Sequence, residues 1–79
     1  MKSDIRNPKI GAVYKVYKRL LRAGFDFQNC DLLLFRIRRK DAWTDYYFIC
    51  LGNLQKICIT SSMARYVLSE TPLKMITSQ

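Results

Sequence analysis

The run Tyr46–Leu51 (YYFICL) restricts the fold more than any other part of the chain, being six uncharged apolar residues in succession. It falls far short of the roughly 20 residues that span a bilayer. It reads instead as a strand apolar on both faces, hence central in a sheet or covered by a partner. Upstream, Leu32–Arg39 alternates Leu33, Phe35 and Ile37 with Leu34, Arg36 and Arg38, a strand that places two arginines on one face. Between them, Arg39–Thr44 reads as a hairpin loop carrying Arg39, Lys40 and the single tryptophan, Trp43. Gly52–Asn53 marks a turn, and Lys56–Thr60 a short third strand. Ser61–Ser62 then caps a helix to about Ser69, with Met63, Tyr66 and Val67 inward and Pro72 past its end. Leu73–Thr77 adds either a fourth, edge strand or a loose end.

The N-terminal third reads differently. Asn7 is placed as an N-cap, with Pro8 at the first helical position, where its missing N–H costs nothing. Ile10, Val13, Tyr14, Tyr17, Leu20 and Leu21 recur at helical spacing, which predicts an amphipathic helix over Lys9–Ala23. Gly24 serves as its C-terminal stop. Lys15, Lys18, Arg19 and Arg22 would line the opposite face, with no acid among them to offset their mutual repulsion. The expected order is therefore α-β-β-β-α: an α+β fold in which two helices pack on a three-stranded antiparallel sheet. Seventy-nine residues make one domain, 1–79, whose ends 1–7 and 73–79 are candidates for loose segments, the latter unless it adds the edge strand. A chain of this size buries only about 60% of its unfolded surface, so a homodimer or another partner is expected to supplement the core.

Charge supplies the functional signal. The net charge is +8, and eleven of the fourteen Lys/Arg but only three of the six acids lie in residues 1–40. Such asymmetry points to a polyanion or an acidic protein surface. Trp43, Tyr46, Tyr47 and Phe48 closely follow the Arg36–Lys40 run. Aromatic rings stack on the bases of single strands while Lys and Arg hold phosphates. Tyr47 or Phe48 must fill the core, whichever face points inward; Trp43, in the loop, is either a stacking platform or an interface anchor. The expected interface comprises Lys15, Lys18, Arg19, Arg22, Arg36, Arg38, Arg39, Lys40 and Trp43.

Catalysis finds little support. There is no histidine, the acids stand singly, and no phosphate loop forms around Gly11, Gly24 or Gly52. A ribonuclease working through Lys, Arg and Tyr, as in RelE-type toxins, is the residual enzymatic option. Cys30, Cys50 and Cys58 show no metal-ligand spacing, so no metal or other cofactor is expected. Free thiols and the absence of an apolar N-terminal segment read as a cytoplasmic protein with no membrane association.

The α-β-β-β-α order over Pro8–Ser69 is similar to that of double-stranded-RNA-binding domains, which bind across minor grooves largely by shape. Ser61, Ser62, Met63 and Ala64 stand where that family carries a lysine cluster. The order is also similar to that of HicA-type messenger-RNA-cleaving toxins, whose histidine is missing here. Val16–Arg22 followed by Phe25 resembles the opening helix of the mitochondrial LYR adaptors, which continue as helices where residues 32–60 read as strands. The expected function is a small non-catalytic nucleic-acid-binding module, with RNA favoured over DNA. The alternative is a protein-interaction or inhibitor module, such as a viral or mobile-element anti-defence factor, docking on an acidic or RNA-binding protein.

Overall fold

The computed structural model describes residues 8–69 and 71–76. Its elements are β1 (Ala12–Lys15), β2 (Leu21–Arg22), β3 (Phe25–Asp26), β4 (Asp31–Arg39), β5 (Thr44–Cys50), β6 (Lys56–Thr60), α1 (Ser61–Val67) and β7 (Lys74–Met75). Five strands form one antiparallel sheet in the order β6-β5-β4-β1-β7, and β2 and β3 pair as a separate hairpin. The expected two-helix, three-stranded architecture is thereby corrected to a sheet-dominated fold with one short helix. The likeness to double-stranded-RNA-binding domains, which rested on that element order, falls with it.

The correction originates in residues 9–23, where the helix was expected and strands form instead. Ala12, Tyr14 and Val16 alternate inward at 0–1% exposure. Ile10, Tyr17 and Leu21, half of the supposed helical stripe, are exposed. β-branched and aromatic side chains suit a pleated surface better than a helix. Neighbouring strands decide the matter: β1 pairs with β4 on one side and with β7 on the other. Beyond β7, the Tyr17 N–H donates to Val67 O, Ser69 N–H to Lys15 O and Leu73 N–H to Val13 O. Gly11 has φ +97°, and a Cβ there would lie 2.5 Å from Ile76 O, so only glycine admits the returning chain. Gly24, expected as a helix stop, instead turns the β2–β3 hairpin with Ala23, both at positive φ. Asn7, the expected cap, lies outside the described residues.

Downstream, the sequence reading holds more closely. β4, β5 and β6 match the three expected strands to within two residues; the central strand is β4, and β5, expected to be central or covered by a partner, lies between it and β6. Lys74–Met75 settles the C-terminal alternative as an edge strand; residues 77–79 are outside the described set. α1 begins after Thr60 rather than under a serine cap, and no side chain caps its first turn. Ala64 and Val67 face inward, whereas Met63 and Tyr66, expected inside, are exposed.

One face of the sheet carries the core. Tyr14, Leu32, Leu34, Tyr46, Phe48 and Ile59 are fully buried there, beneath Leu20 and Phe27 flanking the hairpin and Ala64, Val67 and Leu68 of the helical segment. Tyr14 meets Phe48 edge-on at 6.2 Å between centroids. On the opposite face Phe35, Arg36, Arg38, Lys56 and Cys58 are exposed, Leu33, Tyr47 and Ile49 are half-buried, and Val13 is buried. The molecule is accordingly a thin slab, 33 × 31 × 19 Å.

Candidate nucleic-acid interface

The more open face, opposite the core, is read from the strand registers, since side chains alternate between faces. On β5 the inward set is Tyr46, Phe48 and Cys50, so Asp45, Tyr47 and Ile49 look outward. Their partners across the ladders are Arg38, Arg36 and Leu33 on β4, and Thr60, Cys58 and Lys56 on β6. Arg36 and Arg38 thus share one face, as their spacing predicts.

A β-bulge modifies that alternation. The register slips between Leu34, opposite Phe48, and Arg36, opposite Tyr47. Phe35 is the extra residue, and bulges of this kind re-aim side chains. Leu34 stays in the core, Ile37 returns to the core side, and Phe35 and Arg36 both come to the open face. There Phe35 lies 6.4 Å from Tyr47, ring to ring. The Arg36 guanidinium sits 5.3 Å over the Tyr47 ring, and the Lys56 ammonium 5.9 Å over the Phe35 ring. The result is a patch of two aromatic rings, each with a cation against it, on an exposed sheet surface.

Trp43 precedes β5 by one residue and continues the outward row Trp43, Asp45, Tyr47. Its indole Nε1–H donates to Asp45 Oδ1 at 2.8 Å, which fixes the ring although it is 45% exposed. The Lys40 ammonium stands 5.8 Å over the same ring. Beside them a groove of about 380 Å³ opens between the β4–β5 loop and the start of α1, lined by Lys40, Asp41, Trp43, Ser61, Ser62 and Arg65 among others.

The first set of expected site residues is dispersed. Lys15 is on β1, ion-paired with Asp31 at 3.9 Å. Lys18 and Arg19 follow β1 beyond the Asp31 end of β4, with Arg19 3.8 Å from Asp26. Arg22 is on β2 and donates to Leu21 O. These four share no helix face, because there is no helix to share. Arg36, Arg38, Arg39, Lys40 and Trp43 by contrast belong to one hairpin. Of the four aromatics singled out from sequence, Tyr46 and Phe48 are core and Tyr47 is on the open face. Phe35 and Lys56 escaped sequence reading: strict alternation puts Phe35 with Leu33 and Ile37 and away from Arg36, and no local signal marks the bulge.

The thiols are unbonded. Burial pushes the Cys30 thiol above its ordinary pKa, reinforced by Cys50, with which it shares a hydrogen bond, and by Asp26 and Asp31. Cys58 is raised by burial and by Asp45, against the opposing pull of the Tyr47 hydroxyl, Arg22 and Lys40. No cluster of three or more potential metal ligands occurs among the described residues, and no helix among them is long and apolar enough to cross a membrane. Comparison with protein-family models, curated proteins and solved structures returns no match for this chain.

Proposed function

We propose that the open face of the sheet binds single-stranded nucleic acid, RNA in preference to DNA, without catalysing a reaction on it. One observation carries the reading: Phe35 and Tyr47 are presented together on the sheet face opposite the core, with Arg36 and Lys56 against their rings. Bases stack on such rings at about 1–3 kcal/mol each. Unpaired RNA offers splayed bases, and sheets bearing aromatic residues are one of the established ways of taking them. Arg38 and Lys40 extend the positive surface along the hairpin for the phosphates, while Arg39, opposite Thr44, alternates to the other side. The three free thiols suit a reducing compartment such as the cytoplasm.

Oligonucleotide titrations of variants test the proposal. Phe35→Ala should weaken a short oligouridylate by about 1–3 kcal/mol, and Arg36→Glu/Arg38→Glu should abolish its binding. Lys18→Glu/Arg19→Glu, beyond the far end of β4, should bind nearly as the parent does. Equal loss from both charge reversals would mean that net charge alone, and no platform, attracts the strand.

A second reading rests on the outer edge of β6, which no described strand pairs. Such an edge accepts an added strand, from a second copy of this chain or from an acidic or RNA-binding protein. Pull-downs that retain a protein partner after nuclease treatment, or a dimeric mass in light scattering, would favour it. A monomer that loses all partners on nuclease treatment would exclude it.

A further inference from the structure

We infer that the groove beside Trp43 is a nucleotide subsite: it takes the base of one nucleotide on the indole and its phosphate between Lys40 and Arg65. The inference rests on the single-strand reading above and extends the strand's path past the platform. At about 3.4 Å per residue, Trp43 lies roughly 14 Å along the strand from Tyr47 and on the same outward row. A strand stacked on Phe35 and Tyr47 and following the hairpin therefore arrives at the groove.

The groove has the dimensions and chemistry for one nucleotide. Its volume of about 380 Å³ falls in the range of small-ligand sites. Its ring is fixed in advance, since Asp45 is only 9% exposed and holds the indole N–H. A ring held in this way loses little freedom when a base stacks on it. Two cations line the groove, Lys40 against the indole and Arg65 from α1, while Asp41 is its one lining acid. Ser61 Oγ accepts the Thr44 N–H at 3.1 Å, which leaves its own O–H to donate. A stacking surface, two cations and a hydroxyl donor together suit a nucleoside monophosphate better than a neutral metabolite or a cation.

Trp43 is the only tryptophan, so its emission reports on the groove alone. Adenosine 5′-monophosphate, titrated into the full chain, should quench that emission saturably. Lys40→Ala/Arg65→Ala, both exposed positions, should weaken this roughly tenfold or more, as loss of charge-assisted hydrogen bonds does. Adenosine without phosphate should bind the parent as weakly as the monophosphate binds the double variant. Phe35→Ala should leave mononucleotide quenching unchanged while weakening longer oligonucleotides. No quenching, or quenching indifferent to both cations and the phosphate, overturns the subsite. If oligonucleotides still bind with the emission unmoved, the subsite fails and the platform stands. If the mononucleotide quenches but Phe35→Ala leaves every oligonucleotide unaffected, the platform fails and the groove stands.

Discussion

Single side chains in this molecule are tuned by where the sheet puts them. The Cys30 and Cys58 thiols are raised, in each case chiefly by burial, so the folded state favours the protonated form. A group raised on folding contributes its full stability below its unfolded pKa and loses it as pH climbs toward the folded value. Denaturant unfolding should therefore give constant stability near neutrality and a decline above about pH 8.5, where an unfolded thiol ionises. Cys30→Ser/Cys58→Ser should flatten that decline. An undiminished slope in the double variant would assign the alkaline loss to other groups. Trp43 shows the converse tuning, an exposed ring held by a nearly buried carboxylate.

Among the elements, β1 is the one whose partners lie furthest along the chain. Gly11→Ala should cost roughly 1–3 kcal/mol, the usual range for a residue forced into a disfavoured backbone region. Here the added methyl also meets a backbone oxygen, which cannot swing aside. The loss should appear as a lower melting temperature and faster amide exchange at Leu73 and Ile76, whose N–H groups bond to Val13 and Gly11. Unchanged exchange at those two amides would refute the account. β1 is also where sequence reading failed, for a definite reason. Val13, Tyr14 and Leu20 satisfy a helical period, while Ala12, Tyr14 and Val16 satisfy a period of two, and Val13 is buried besides. Local pattern cannot break that tie; hydrogen bonds to β4 and to the segment around β7 break it. β4, β5 and β6 were legible because turn residues bound them and their apolarity has no competing period. The site was legible only in part: Arg36 and Arg38 share a face by simple alternation, whereas Phe35 joins them through a bulge that depends on its partner strand.

For the whole molecule, the relevant quantity is the +8 charge on a thin slab. If the open face takes a strand, log affinity should fall linearly with log salt, by about 0.7 for each phosphate neutralised. Lys18→Glu/Arg19→Glu should leave most of that dependence. A salt-independent affinity in the parent chain would point to a protein partner bound through apolar contact. The strip of backbone that closes over β1 has a further consequence, one for biosynthesis. β1 leaves the ribosome ahead of Val67, Ser69 and Leu73–Ile76 and must wait for them before its outer edge is bonded. Until then Val13, Tyr14 and Tyr17 stand beside an unpaired strand in a crowded cell. Non-local pairing of this kind is slow and exposes the nascent chain to aggregation. Basic residues around that edge, Lys15, Lys18 and Arg19, keep approaching copies apart by repulsion during the wait, so part of the charge can protect the chain before it is ever used to bind.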